Sequence, residues 1–408
     1  MSGETLEVEI IAMAHGGSGL GRAGKRTVFV PRTIPGERVL ARVTQDKGRV
    51  LLAEGLRLLE ASADRVYPRC AHFGKGCCSH WQHIDYPAQL LLKQDVLADQ
   101  LQRVGELPEA TIAAALRPLI ASPLLWGYNH HMTLHAAPDG QLGLPAAAAI
   151  VPLDECALLH PDLWALYEAL ELELDGLKRL RLQIGTEGDH MLILSMADDQ
   201  APALEADIAA SVNLLLEDNT AVNLIGDLHT RCAVRGRMFR VTAGSSVRAN
   251  FSQYDNLIST VVALLAPAAD EHILDLYGGA GFFSAFIAPH AAQVTLVDSY
   301  APAVTDAKEN LGDFHNVSVR KSTVEAALND LSAAAAVLDP LPAGLSIEAI
   351  DALGARKLSR LVYVSSDPAT LARDAQRLLR HGYRLQVVQP LDLAPHTYYI
   401  DSVALFTR

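Results

Sequence analysis

The chain has 408 residues, half of them hydrophobic, which is enough for two or three domains with sizeable cores. No run reaches the roughly 18 apolar residues of a membrane helix, and the acidic, polar start Met-Ser-Gly-Glu-Thr has neither the basic nor the apolar region of a secretory signal. Five cysteines in a chain of this length do not read as a disulfide scaffold, so a cytoplasmic, monomeric protein without a membrane partner is expected.

The net charge of −13 is unevenly spread. Residues 1–83 carry 12 Lys+Arg against 8 Asp+Glu, and the rest of the chain carries 22 against 39. This argues against a general nucleic-acid binder. It is compatible with RNA contact concentrated at the N-terminus, modest in affinity and strongly salt-dependent.

Short β-like runs at Leu6–Ile11, Thr27–Pro31, Arg38–Thr44 and Arg49–Glu54 are separated by turns at His15–Arg22, Pro35-Gly36 and Lys47-Gly48. The spacing predicts a small closed β-barrel of the OB type over residues 1–60. The run Gly-Gly-Ser-Gly-Leu-Gly-Arg22 is no phosphate loop, because no Gly-Lys-Ser/Thr follows it. With Phe29-Val-Pro and Pro35-Gly-Glu it resembles the TRAM domain, an RNA-binding barrel found ahead of many tRNA- and rRNA-modifying enzymes. Arg22, Lys25, Arg26, Arg32, Lys47 and Arg49 are then candidates for phosphate contact; the alternative is a solvated basic face.

Residues 61–245 are expected to form an α+β middle domain. It opens with a cysteine-containing segment, Cys70 to His83, and continues with an amphipathic helix over 85–106 whose stripe is Leu90, Val96, Leu97 and Leu101. That helix is a candidate to pack on the domain that follows. From residue 246 the pattern is a doubly wound, Rossmann-like α/β domain. Strand His272–Leu276 runs into Asp275-Leu-Tyr277-Gly-Gly279-Ala-Gly281-Phe-Phe and a helix, and a second strand, Gln293–Val297, ends in Asp298. Glycines at such a switch let backbone approach a nucleoside ligand, and the strand-end acid accepts hydrogen bonds from ribose hydroxyls. No positive group follows for a pyrophosphate, so S-adenosylmethionine fits better than a dinucleotide.

The C-terminal stretch reads Tyr363-Val-Ser-Ser366-Asp-Pro-Ala-Thr, a helix, a strand, then Asp392-Leu-Ala-Pro-His-Thr-Tyr-Tyr-Ile-Asp401 and a last apolar strand. With the glycine loop this resembles the S-adenosylmethionine-dependent RNA uracil-5-methyltransferases, and the resemblance covers almost the whole chain. It implies a class I methyltransferase domain over 246–408 and rRNA or tRNA as partner. It also implies cofactor contacts at Gln253, Asp275, Tyr277, Gly279, Gly281 and Asp298. Gln253 lies in Asn250-Phe-Ser-Gln-Tyr-Asp255, which is similar to the family's Phe-Phe-Gln-x-Asn.

The chain departs from the family where the chemistry is done. Ser366 stands at the position of the cysteine that adds to C6 of uracil, and Asp401 at the position of the glutamate base. A cysteine ionises near neutrality after a modest shift from about 8.5, whereas a serine needs a dedicated base beside it; the alternative role for Ser366 is to cap the following helix. Val337-Leu-Asp339-Pro340-Leu-Pro342 replaces Asp-Pro-Pro-Arg, so Asp339 is kept and the arginine is Pro342. Tyr128-Asn-His-His131 replaces Tyr-Arg-Asn-Arg, and Ala147-Ala148-Ala149 replaces Gly-Ser-His. The family's four cysteines hold a [4Fe–4S] cluster. Here Cys70 and Cys156 match, while Gly76 and Ser79 fall on the two middle positions and Cys77 and Cys78 lie between them. A cluster on Cys70, Cys77, Cys78 and Cys156, a zinc site and a metal-free loop all stay open. Two functional readings follow: an RNA methyltransferase with an adapted mechanism or another target atom, or an RNA- or cofactor-binding paralogue without catalysis.

Overall fold

The computed structural model describes residues 3–75, 80–146, 149–170, 172, 175–202 and 209–408. Strands β1 (Thr5–Met13), β2 (Gly19–Ala23), β3 (Arg26–Val30), β4 (Arg38–Asp46) and β5 (Val50–Glu60) close a barrel in the order β1-β2-β3-β5-β4. Alternation along the strands turns Val8, Ile10, Val28, Val30, Val39, Ala41, Val43 and Leu51 into its interior. Strand β2 lies inside the glycine run expected to be a turn. A Cβ at Gly21 would sit 2.4 Å from the Glu9 carbonyl oxygen, and one at Gly19 would sit 2.1 Å from Thr33 Oγ1. These glycines therefore mark close packing within a strand.

Helices α1 (Tyr86–Arg103) and α2 (Glu109–Ala115) follow the barrel. Val96, Leu97 and Leu101 of the expected stripe are buried, with Leu97 and Leu101 in one core with Leu371 and Ala375. The segment after α2 runs parallel to a C-terminal strand, with bridges Leu116 to Val388 and Ile120 to Leu391. Residues 86–120 thus build the last layer of the molecule, although they lie between the barrel and the middle region in sequence. Lys93 is also fully buried on α1, where its Nζ donates to Asp392 Oδ1 at 2.7 Å and to the Ala394 carbonyl at 3.0 Å.

The middle region holds β6 (His131–Ala136), β7 (Leu142–Pro145), β8 (Ile150–Val151), α3 (Pro161–Glu168), β9 (Leu177–Ile184), β10 (His190–Met196), β11 (Ser211–Leu215) and β12 (Ala221–Ile225). Its seven strands lie in the order β12-β11-β10-β9-β6-β7-β8. Leu180, Leu182 and Ile184 of β9 pack with Leu163 and Leu166 of α3 on one face. A hairpin of β13 (His229–Val234) and β14 (Arg237–Thr242) links this sheet to the C-terminal region.

The last region contains α4 (Tyr254–Leu265), β15 (His272–Leu276), α5 (Phe282–Ile287), β16 (Gln293–Asp298), α6 (Ala301–Asn310), β17 (Val317–Lys321) and α7 (Val324–Leu328). It continues with β18 (Ala335–Leu338), α8 (Ile347–Arg356), β19 (Arg360–Ser365), α9 (Pro368–Arg380), β20 (Arg384–Leu391) and β21 (Asp401–Thr407). The sheet order is β17-β16-β15-β18-β19-β21-β20, parallel except for β21. Apolar cores cover both faces, as the near-continuous Val/Ile/Leu strands require. Ligands of such sheets bind outside the carboxyl ends of the strands, and the candidate residues gather at that edge.

Candidate active site

The glycine loop leaves β15 through Tyr277, Gly279 and Gly281, all at positive φ (60°, 52° and 90°). For Tyr277 this is a strained conformation. A Cβ on Gly281 would strike Leu311 at 2.7 Å, whereas one on Gly279 would enter open space. That space is the approach a ligand needs. Asp298 Oδ2 accepts from the Gly279 N–H at 2.9 Å and Oδ1 from the Tyr300 N–H at 2.8 Å, so the strand-end acid fixes the loop and keeps a second lone pair on each oxygen. Asp275 accepts from the Ser284 N–H and hydroxyl, at 3.0 and 2.6 Å, through one oxygen. Its other oxygen is buried without a partner, and burial pushes the carboxyl up to about 7.

Gln253, expected at the cofactor, is held by its own chain in this structure. It is fully buried, and its amide nitrogen donates to the Ala121 and Asp392 carbonyls at 3.0 and 2.9 Å. Its oxygen accepts from Asn256 at 2.8 Å. Both amide protons are already used in tying residues 121 and 392 together, so the side chain acts as a brace.

Asp339 at the end of β18 and Asp401 at the start of β21 meet at one arginine that sequence reasoning missed. Arg248 donates from Nη1 and Nη2 to the two oxygens of Asp339, at 2.8 and 2.7 Å, and from Nε to Asp401 Oδ1 at 3.3 Å. Burial is the largest single influence and would lower the guanidinium pKa, but the charge and hydrogen bonds of Asp339 together with the charge of Asp401 outweigh it and the pKa is raised. Burial raises the Asp401 carboxyl, with Arg248 opposing. The only local signal for Arg248 was a cation between Val247 and Ala249.

The β19–β21 ladder ends with Ser365 opposite Ser402, which makes Ser366 and Asp401 the next residues of the two strands. Ser366 is partly exposed, and its hydroxyl makes no hydrogen bond among the described residues. It does not cap α9. The cap is Asp367, whose Oδ1 accepts from the Thr370 N–H at 2.7 Å. The other Asp367 oxygen meets His15 Nε2 at 3.1 Å, so the barrel loop touches the residue beside Ser366. Burial would raise the Asp367 carboxyl, but hydrogen bonds from His15 and Thr370 take it down to about 2. Pro342 stays on the loop after Asp339, where its carbonyl accepts from Thr370 Oγ1 at 3.0 Å.

On the barrel, Lys25, Lys47 and Arg49 are exposed and in no ion pair among the described residues. Arg26 is partly buried and pairs with Asp46 at 3.5 Å, and Arg32 donates to the Gly74 carbonyl at 2.6 Å. Arg22 is exposed and bonds Thr27 at 3.1 Å. The glycine run that suggested RNA contact is partly turned inward: Trp81 Nε1 donates to the Gly17 carbonyl at 3.1 Å.

Cys77 and Cys78 lie outside the described residues, as do Ala147 and Ala148. The Cys70 and Cys156 segments are neighbours, joined by Ala71 N–H to Glu155 at 3.2 Å and Asp154 N–H to His72 at 3.1 Å. Among the described residues no group of three or more His, Cys, Asp or Glu could hold a metal ion. In the gapless register Gly76 and Ser79, neither of them a thiol, stand at two of the ligand positions.

Residues 1–56 match the TRAM domain family. An uncharacterized RNA methyltransferase of Streptomyces avermitilis is 32% identical, covering 99% of this chain and 98% of the relative. The 23S rRNA (uracil(1939)-C(5))-methyltransferase RlmD of Pseudomonas putida is also 32% identical, over 99% of this chain and 94% of its own length. The crystal structure of Pyrococcus abyssi tRNA (uracil-54, C5)-methyltransferase in complex with S-adenosyl-L-homocysteine superposes with a TM-score of 0.71 at 21% identity, over 98% of this chain and all of that one. On identity that extends from the barrel to the last strand, the chain belongs to the RNA uracil-C5-methyltransferase family.

Proposed function

We propose that the protein is an S-adenosylmethionine-dependent RNA methyltransferase that works without a covalent enzyme–base adduct. The observation that carries this reading is the Ser366 hydroxyl, which stands at the family's nucleophile position with no base hydrogen-bonded to it among the described residues. The neighbouring carboxylate, Asp401, is turned to Arg248 at 3.3 Å. A neutral hydroxyl in that setting is a poor nucleophile toward C6.

The glycine loop fits the cofactor: the space over Gly279 admits a ligand at the backbone, and Asp298 offers acceptors at the end of β16. When bound, S-adenosylmethionine supplies an electrophilic methyl group. The protein's part is to exclude water, position the base and accept a proton. A base nitrogen with a lone pair can take the methyl directly, and its departing proton passes to Asp339 or to solvent. Asp339, held by two parallel bonds from Arg248, is fixed as a hydrogen-bond acceptor and keeps a lone pair on each oxygen.

A second reading, an RNA- or cofactor-binding paralogue without catalysis, is favoured by the same arginine, which neutralises both candidate bases. Tritium transfer from labelled S-adenosylmethionine to total cellular RNA, followed by nucleoside analysis, separates the two. A labelled methylated nucleoside that is not 5-methyluridine is the expected result. No transfer in the presence of S-adenosylhomocysteine binding gives the paralogue, and 5-methyluridine refutes the adduct-free reading.

A further inference from the structure

Two exposed apolar side chains stand at the edge of the sheet that carries Asp339 and Asp401. Leu341, two residues after Asp339, is 67% exposed, and Tyr399, two residues before Asp401, is 50% exposed. Two residues of chain reach about 7 Å at most, so the backbone of each lies close to one of the carboxylates that Arg248 joins. The Leu341 loop is tied to the start of α9 by Thr370, whose Oγ1 donates to the Pro342 carbonyl at 3.0 Å. The Thr370 N–H donates to Asp367, the residue after Ser366.

Tyr399 rests on a fixed support. Its ring centroid lies 4.6 Å from that of Tyr398, with the planes at 41°. Tyr398 lies 4.6 Å from the His80 ring on another side, and a Cβ on Gly17 would strike the Tyr398 ring at 2.8 Å. Trp81 Nε1 holds that barrel loop through the Gly17 carbonyl, so Tyr398 is wedged between the barrel and Tyr399. Burial, then the hydrogen bond with Tyr399 and the nearby Asp367 charge, push the Tyr398 hydroxyl up to about 12. The two rings therefore lie on the side of the pocket where Asp367 follows Ser366. Tyr398 immobilises one side of the Tyr399 ring and half of the residue stays in water, which leaves apolar surface that a second π face can cover.

We propose that Tyr399 is a stacking platform for a nucleobase of the RNA substrate, holding an unpaired base next to the target at the edge of the pocket of Asp339, Asp401 and Ser366. An aromatic ring suits the role because every base has a π face and the contact demands no particular sequence. The local charge favours a base over a phosphate here: Asp339, Asp367 and Asp401 stand against Arg248 and His15, and both cations are already paired with these carboxylates. The inference rests on the RNA-methyltransferase reading.

The test uses the full chain and a mixed-sequence, single-stranded RNA of about 20 nucleotides, titrated from about 50 to 200 mM KCl. Tyr399→Ala should weaken binding about tenfold, the size of one base–aromatic stack. The slope of log K against log[salt] should not change, because no phosphate contact is lost. Tyr399→Phe and Tyr399→Trp should stay within about twofold of the wild type, since both keep a π face. Tyr399→Leu keeps an apolar cover over Tyr398 without that face and should fall with Tyr399→Ala. Tm and S-adenosylhomocysteine binding by calorimetry, followed in each variant, report an intact fold; if Tyr399→Ala lowers Tm, the comparison of Phe with Leu decides. Wild-type affinity in Tyr399→Ala would overturn the proposal, as would equal affinities in Tyr399→Leu and Tyr399→Phe. A shallower salt slope in Tyr399→Ala would also overturn it, since the loss would then be of a phosphate contact. RNA binding that is independent of Tyr399 removes this inference alone. Wild-type protein that binds S-adenosylhomocysteine but no RNA removes the RNA reading with it.

Discussion

Arg248 and Asp339 are 91 residues apart and meet through two parallel hydrogen bonds of 2.8 and 2.7 Å. The arginine leaves an irregular segment before α4, and the aspartate directly follows β18. Their pairing, with Asp401 attached through Nε, places one cation between two carboxylates at the edge of the sheet.

Removing that cation leaves two carboxylates, Asp401 buried and Asp339 partly buried, without their shared partner. Arg248→Met is expected to lower stability by about 3–5 kcal/mol, the usual loss when one partner of a buried pair is deleted. Adding Asp339→Asn and Asp401→Asn should return most of it, measured by urea denaturation. A single variant as stable as the wild type would show that the three groups are not coupled.

The Ser366 position is tested with 5-fluorouridine RNA, which traps a C6 adduct because fluorine blocks the release step. The wild-type chain should give no gel-stable adduct. Ser366→Cys with Asp401→Glu restores a nucleophile of suitable pKa and a longer base and should form the adduct, with each single variant weak or inactive. An adduct with the unaltered protein would contradict the assignment of Ser366 as non-nucleophilic.

Asp298 closes the glycine loop through the Gly279 N–H and is the proposed ribose contact. Asp298→Ala should weaken S-adenosylhomocysteine binding by about 1–3 kcal/mol, the range for hydrogen bonds to a charged group. Calorimetry that finds equal affinity in the variant would remove Asp298 from the cofactor site.

The His15–Asp367 contact predicts how the barrel loop responds to pH. The hydrogen bond from Asp367 raises the His15 pKa above 6.5, so this contribution is complete below about 6.5 and is lost as pH rises through the folded value. Asp367 is depressed to about 2, so its share is present above about 4 and lost as pH falls toward 2. The link is therefore firmest between about pH 4 and 6.5. Hydrogen exchange at residues 14–18 should quicken above that window beyond the intrinsic rate. His15→Gln should abolish the extra dependence; an identical profile in the variant would show that the contact does not hold the loop.

Residues whose signals are local were readable in advance. The glycine loop follows β15 and Asp298 ends β16, as the spacing predicted, because a strand end and the turn after it are defined within a few residues; Asp339 and Asp401 came from the family resemblance. Strand β2 was read as a turn because its glycines answer to the crowding of Glu9 and Thr33, which no local pattern records. Arg248 was missed for the same reason: the partners that define it lie 91 and 153 residues away. Lys93 breaks the apolar stripe of α1, and only the fold reveals the Asp392 that makes its burial tolerable.

The Lys93–Asp392 pair spans 299 residues and is sealed from solvent on both sides. At synthesis rates of about 5–20 residues per second, helix α1 leaves the ribosome roughly 15–60 seconds before its acidic partner exists. During that interval its apolar stripe has no α9 to cover it and its lysine has no counter-ion. The barrel can close early, but the final layer of the sheet waits for the last strand. A fragment ending before residue 392 should therefore expose Leu97 and Leu101 and be prone to capture by chaperones, and a chain beginning at residue 246 should lack a wall of its own core.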